Sequence, residues 1–391
     1  MAEENAAPVV QLLDAILSEA VSLKASDIHF EVFSDGFKVR ARVDGVIRDL
    51  ANPPEDLFSP LISRIKVLAN LDVAETRVPQ DGRIQMKING RDVDFRVSTL
   101  PTITGESVVL RILDRSAIDV NLTDLGIWEE DLHLYQSLLS FSNGMVLVTG
   151  PTGSGKTTTL YAFLKELNTV DKKIITVEDP VEYDLPGAVQ IPINAKIGLD
   201  FALALRTILR QDPDIIMVGE IRDKETAEMS IHASLTGHLV FSTLHTNNAP
   251  GAITRLIDMG IEPYLITATL RAVIAQRLVR KICPNCIDTY RPTQIEIEAF
   301  NLSDSDISEG KFFKGQGCKE CGGSGYKGRI GIFEFLGIGT DFRPLILDRV
   351  STEGLWRKAK ELGMVSLRED GLRKVKMGLT TLEEVLRETQ M

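Results

Sequence analysis

Residues Gly150–Thr157 read Gly-Pro-Thr-Gly-Ser-Gly-Lys-Thr, a fit to G-x-x-x-x-G-K-[ST]. These residue types suit a phosphate chain. Gly153 and Gly155 let the backbone wrap close to an anion, while successive N–H groups and a following helix N-terminus point at it. Lys156 has the reach for the outer phosphates, and the Thr157 hydroxyl is a ligand for Mg2+. The candidate nucleotide-binding residues are Gly150, Pro151, Thr152, Gly153, Ser154, Gly155, Lys156, Thr157 and Thr158. An ordinary glycine-rich turn is the competing reading. The flanks argue against it: Met145–Thr149 is short, apolar and β-branched, as a buried strand is, and residues 158–167 carry a helical pattern.

Two carboxylates stand where hydrolysis would need them. The apolar run Ile174–Val177 ends in Glu178, and the run Ile215–Val218 ends in Gly219-Glu220. In a doubly wound sheet, ligands sit beyond the strand carboxyl ends, so both side chains are expected near a γ-phosphate. One group orients or deprotonates the attacking water and another holds Mg2+. An aspartate usually ends the second strand of such a pair. Glu220 has the longer reach, and holding the metal through a water would use it. Two acidic helix caps are the alternative. His238 precedes the run Leu239–Ser242, and His245 and Asn247 follow it. A lone histidine is usually packing or surface; two that bracket a strand beside a phosphate loop make His245 a candidate sensor of the γ-phosphate.

Cys283-Pro284-Asn285-Cys286 and Cys318-Lys319-Glu320-Cys321 are two C-x-x-C pairs separated by residues 287–317. Such pairs form a four-thiolate zinc set in a reducing compartment. The separation is longer than in most zinc knuckles, so the segment between them is an excursion. Four thiolates leave no position for water, which makes the zinc structural. Redox pairs are the alternative.

Around these residues the chain falls into two patterns. Residues 8–24 are predicted to form an amphipathic helix with Leu12, Leu13, Ile16, Leu17, Ala20 and Val21 on its stripe. Ile28–Val32 and Phe37–Val43 read as strands and Phe58–Leu71 as a helix. Arg83–Ile88 and Arg91–Ser98 flank Asn89-Gly90 as a hairpin, and Ser107–Leu113 is a further strand. This half is α+β and mostly antiparallel. Arg96 faces away from the apolar side of its strand, and both Arg96 and Arg111 read as solvated strand charges. Leu100–Gly105 and Ile118–Thr123 are candidate joints. From about residue 124, helices alternate with short apolar strands, which predicts an α/β, doubly wound, mostly parallel sheet around the phosphate loop. The expected organisation is a domain at 1–115, a linker at 116–123 and a second domain at 124–391 that contains a zinc subdomain at 283–330.

The 391 residues are 43% hydrophobic and 25% charged, an ordinary globular mix, with a net charge of −11. That charge speaks against nucleic acid as a partner, since such proteins present a basic face. No apolar run approaches the length of a membrane span, and the acidic N-terminus is not a secretory signal, so a cytoplasmic protein is expected, with membrane contact only through partners.

Taken together, these stretches resemble the secretion ATPases that power type II secretion and type IV pilus assembly. The resemblance rests on Ala25–Glu31, Pro79–Arg83, the phosphate loop and Thr176–Glu182. It continues through Leu209–Asp214 with Gly219–Asp223, then Thr236–His238 with Leu244–Asn247, Gln276–Leu278 and the four cysteines. It covers nearly the whole chain. It implies a RecA-like ATPase domain joined to an N-terminal PAS-like domain, assembled as a homo-hexamer with ATP, Mg2+ and Zn2+. The implied partners are inner-membrane platform and docking proteins. Glu178 matches the family's catalytic carboxylate and Glu220 its Mg2+-holding group. Arg96 and Arg111 match its arginine fingers, which reverses their reading as solvated charges. The retraction ATPases of the family lack the cysteine knuckle, which favours assembly or secretion. Family members usually carry a further N-terminal docking domain, so either this chain is cut short or it is a short member. A nucleic-acid translocase on the same core is the rival reading, and DNA-stimulated turnover would favour it. A non-catalytic scaffold would need a spoiled phosphate loop or no Glu178.

Overall fold

Alternation and continuous apolar runs, the two strand patterns of the sequence, build two different sheets. The computed structural model describes residues 6–114 and 120–390, and contacts divide the chain into units at 1–119 and 120–391.

The first unit contains α1 (Ala6–Ser22), β1 (Asp27–Phe33), β2 (Gly36–Val43), β3 (Val46–Ala51), α2 (Phe58–Leu68), β4 (Gln80–Ile88), β5 (Arg91–Thr102) and β6 (Gly105–Asp114). The sheet runs β3-β2-β1-β6-β5-β4, antiparallel throughout. Leu13, Ile16 and Leu17 of α1 and Leu61 and Ile65 of α2 cover its apolar face against Ile28, Phe30, Val39, Phe95 and Leu110. Val93, Phe95 and Val97 are buried on that face, which turns Arg96 to the other one. Asn89 and Gly90 both adopt positive φ, as a two-residue hairpin turn requires.

Two expectations change here. Leu100–Gly105 is not a joint but the closed end of the β5–β6 hairpin, where Pro101 opposes Glu106 and Thr102 opposes Gly105. Pro101 lies where β5 has outrun β4, whose last pair is Gln80 with Thr99, so a residue without an N–H is tolerated. Val46–Ala51 continues from the Asp44-Gly45 turn as an edge strand that was not anticipated.

The second unit contains α3 (Leu132–Leu139), β7 (Gly144–Thr149), α4 (Lys156–Leu167), β8 (Ile174–Glu178), β9 (Val189–Pro192), α5 (Phe201–Ile208), β10 (Ile215–Val218), α6 (Lys224–Leu235), β11 (Leu239–Leu244), α7 (Ala249–Asp258), α8 (Pro263–Thr269) and β12 (Leu270–Ile282). Then come β13 (Ile287–Tyr290), α9 (Gln294–Phe300), α10 (Asp304–Glu309), β14 (Phe312–Gly315), β15 (Tyr326–Gly337), α11 (Arg343–Leu347), α12 (Thr352–Glu361), α13 (Leu367–Lys376) and α14 (Leu382–Thr389). The main sheet runs β15-β12-β7-β11-β10-β8-β9. Every neighbouring pair is parallel except β12 with β15. Helices cover both faces, which is why β7, β8, β10 and β11 are buried end to end and read as unbroken apolar runs. Successive residues serve opposite faces. Met145, Leu147, Ile175 and Val177 pack with Leu205, Ile231 and Ile253, whereas Val146, Val148, Ile174 and Phe241 pack with Leu160, Phe163 and Tyr135.

Between the cysteine pairs, β13 and β14 form an antiparallel ribbon of their own, closed by α9 and α10. Of the expected linker, residues 116–119 lie outside the described residues, and Leu122 is buried in the cluster that also holds Leu160.

Candidate functional site

β7, β11, β10 and β8 are neighbours and parallel, so their carboxyl ends share one edge of the sheet. The phosphate loop leaves β7 at that edge. Gly155 caps α4 at φ +87 with no side-chain bond, so the first-turn N–H groups remain available to an anion. A Cβ on Gly155 would stand 2.9 Å from the flexible end of Gln276, and its positive φ is one that side-chain-bearing residues rarely adopt. Pro151, Thr152 and Gly153 form the exposed rim, and Thr157 and Thr158 lie half-buried in the first turn. Lys156 Nζ donates to the carbonyls of Gly150 and Pro151, at 2.9 Å each. Burial pulls its ammonium down to about 8; the Glu220 carboxylate opposes that shift and the Arg277 guanidinium adds to it. Ser154 Oγ is buried with no partner among the described residues. An uncapped helix start, a buried ammonium that donates to two carbonyls and a hydroxyl orphaned among the described residues fit a nucleotide's phosphates.

Glu220 follows β10 and is largely buried. Arg222 pairs with it and also lies 3.8 Å from Asp179, while His245 Nε2 stands 3.5 Å away from Glu220. Glu220, His245 and Lys156 therefore gather at the strand ends. A carboxylate is the kind of oxygen ligand that would suit Mg2+. Asn247 accepts from the Arg277 guanidinium through its backbone carbonyl at 3.1 Å. His238 sits at the opposite end of β11, where its Nδ1 meets the Ala233 carbonyl at 2.8 Å. The two histidines that bracket the strand are thus not neighbours.

Glu178 ends β8 itself and is only 3% exposed. Its carboxyl is enclosed by Tyr161 of α4, Thr176 of β8 and Gln190 of β9. Burial raises its affinity for a proton, although these three donors hold it down. Sequence reading did not find Tyr161, Thr176 or Gln190. Only the position of Tyr161 on the helix after the loop hinted at it.

Arg96 and Arg111 belong to the first unit, where they oppose each other across β5 and β6 on the polar face. Arg83 opposes Arg96 from β4 and pairs with Asp94 through two bonds of 2.9 and 2.7 Å. Arg111 Nε donates to Asp27 at 3.0 Å, and Arg111 remains mostly exposed. The outcome is a row of guanidiniums across one sheet face.

The four cysteines converge. Their sulfurs all lie within 4.8 Å of one another, and three of the pairs are 3.9, 3.9 and 3.7 Å apart. A tetrahedron of Zn–S bonds has edges of about 3.8 Å, whereas a disulfide needs about 2.0 Å. The turns come together through backbone contact, since a Cβ on Gly315 would lie 1.9 Å from the Gly325 carbonyl. The Cys318 and Gly325 N–H groups donate to Cys321 Sγ at 3.1 and 3.3 Å and, against the effect of burial, draw its thiol down to about 6. The donor set fits zinc.

The chain is similar to known proteins. The type II secretion system protein E of Pseudomonas aeruginosa is 52% identical over 390 residues, covering 100% of this chain and 77% of that one. The type IV pilus assembly ATPase PilB of Myxococcus xanthus is 48% identical over 389 residues, covering 98% and 68%. Among solved structures, the pilus retraction motor PilT with bound ADP superposes with a TM-score of 0.63 at 27% identity, covering 97% of each chain. That likeness makes the second unit a RecA-like fold. The profile of the family described as type II/IV secretion system protein matches residues 2–387, and with these relatives it places the chain in that family.

Proposed function

We propose that this chain is a Mg2+-dependent ATPase that works as a homo-hexameric motor of a type II secretion or type IV pilus assembly machine. The observation that carries the reading is the meeting of the phosphate loop with Glu220 and His245 at the strand ends, next to Glu178. Lys156 and the α4 N-terminus hold the phosphates. Thr157 and Glu220 hold Mg2+, which supplies charge neutralisation on the phosphates. Glu178 takes the proton of the attacking water. Arg96 and Arg111 of a neighbouring subunit steady the charge that develops on the γ-phosphate, as arginine fingers do. Zinc on Cys283, Cys286, Cys318 and Cys321 is structural.

The ring drives an inner-membrane platform protein from the cytoplasmic side and meets the membrane only through such partners. Among the described residues no helix is long and apolar enough to cross a membrane. The relatives' names belong to secretion and pilus machines, which favours this reading over nucleic-acid translocation. The test is ATP turnover of the purified chain with and without Mg2+ and with DNA added. Metal-dependent turnover lost in Lys156→Ala is expected; turnover that survives Lys156→Ala, or that requires DNA, overturns the proposal.

A further inference from the structure

The side chains around Glu178 form a closed hydrogen-bonded ring. Thr176 Oγ1 donates to Oε1 at 2.6 Å, and Tyr161 Oη donates to Oε2 at 2.8 Å. Gln190 Nε2 lies 3.0 Å from Tyr161 Oη, 2.9 Å from the Tyr183 carbonyl and 3.2 Å from Glu178 Oε1. The Leu185 N–H donates to Gln190 Oε1 at 2.7 Å, which fixes the amide with its nitrogen toward the ring. Tyr161 is the hub. Its oxygen accepts from Gln190, and its single hydrogen has a second acceptor, the Tyr183 carbonyl at 3.1 Å.

Counting hydrogens shows what such a ring can do. With Glu178 ionised, Tyr161 donates to Oε2 and Thr176 to Oε1, while Gln190 serves Tyr183 and Tyr161. With a proton on Oε2, that O–H donates to Tyr161 Oη, and the Tyr161 hydrogen turns to the Tyr183 carbonyl. Both protonation states are satisfied with the heavy atoms in place.

We propose that Tyr161, anchored by Gln190 and the Tyr183 carbonyl, is a positioning residue whose hydroxyl turns between Glu178 Oε2 and the Tyr183 oxygen as Glu178 gains and loses a proton in each hydrolytic cycle. The proposal rests on the reading of Glu178 as the base. In that step a water O–H bond breaks, Oε2–H forms, the water oxygen bonds to the γ-phosphorus, and ADP leaves with the electron pair of the bridging bond. The groups that act on Glu178 are neutral donors from α4, β8 and β9 and one carboxylate, Glu182, on the following loop. A cation in place of Tyr161 would pin Glu178 ionised and weaken it as a base.

The test is the pH profile of kcat/KM for Tyr161→Phe. The base must be ionised, so the acidic limb reports its protonation in the free enzyme. Removing a donor to the carboxylate disfavours the ionised form, so the limb is expected to move up by about one pH unit. Nucleotide affinity is expected to stay within about threefold, since no phosphate contact is removed. Gln190→Met, which unanchors the hydroxyl, is expected to move the limb the same way by less, and it keeps the test decisive if Tyr161→Phe does not fold. A purely structural role would lower the rate equally at every pH and leave the limb unmoved, which overturns the proposal. Glu178→Gln, run alongside, separates the two readings. Retained turnover there sinks the base assignment. Lost turnover there with an unmoved limb in both other variants sinks only the hydroxyl switch.

Discussion

Removing zinc from the cysteine cluster should loosen one part of the second unit and spare the rest. Three of the sulfur separations, 3.7 to 3.9 Å, already match the edge of a zinc tetrahedron and all lie within 4.8 Å, so binding needs only a small contraction. Apparent binding free energies of structural zinc run roughly 10–16 kcal/mol, which corresponds to dissociation constants from about 10⁻⁷ to 10⁻¹² M. The metal is therefore expected to survive purification at one per chain and to yield only to a strong chelator. The segment it ties down keeps an apolar anchor, because Phe300, Leu302 and Phe312 are buried in the main core, so only part of the binding energy is lost as stability. A loss of about 3 kcal/mol would lower the melting midpoint by roughly 5 °C for a unit of this size. Because β13 and β14 stand apart from the main sheet, the phosphate loop should still bind nucleotide. The assay pairs metal analysis with thermal denaturation and limited proteolysis before and after chelation. New cleavage confined to residues 284–325 is expected. Protein with no zinc, four freely reactive thiols and an unchanged midpoint after chelation would refute the reasoning.

Other outcomes follow from named contacts. Asp370 accepts from Trp128 Nε1 at 2.6 Å, from the Phe333 N–H at 2.8 Å and from the buried Lys374 at 2.6 Å. Asp370→Ala strands that ammonium and should cost about 3–5 kcal/mol in denaturant unfolding, with a loss under 1 kcal/mol counting against the clasp. Arg96→Ala should keep the fold and nucleotide binding but lose turnover. Mixing Arg96→Ala with Lys156→Ala chains should then recover activity, because some interfaces pair an intact finger with an intact loop. Wild-type turnover in Arg96→Ala alone would return that residue to a solvated strand charge.

What could be read from the sequence was what is local. The phosphate loop, the two C-x-x-C turns and Asn89-Gly90 are short spacings whose geometry is set within a few residues, and all form as expected. The buried strands of the parallel sheet were visible because both faces are covered. Non-local features were not. The antiparallel pairing of β15 with β12 joins strands separated by the whole cysteine segment. The edge strand β3 is local, pairing with β2 across the Asp44-Gly45 turn, but it has no alternating buried face to mark it. The ring around Glu178 draws on residues 161, 176, 183 and 190, which share no spacing rule. Glu178 was expected at the open strand edge, but the Tyr161 hydroxyl and Gln190 amide enclose it there and leave it 3% exposed. The row Arg83, Arg96 and Arg111 follows from strand register, which two hairpin turns fix, Asn89-Gly90 for β4 with β5 and Ile103-Thr104 for β5 with β6; the second carries no such turn signal and reads as a joint in the sequence.

The claim on which the rest depends is hydrolysis of ATP at the phosphate loop with Glu178 as the base, and Glu178→Gln tests it most directly. The substitution keeps the size of the side chain and every phosphate contact while removing the proton acceptor. Nucleotide binding and steady-state turnover should be measured on the same preparation of this variant, with Lys156→Ala beside it. The expected result is ATP bound near the wild-type affinity with turnover reduced by at least about a hundredfold. Near-normal turnover in Glu178→Gln would contradict it and pass the base role to another group, with Glu220 the first to examine.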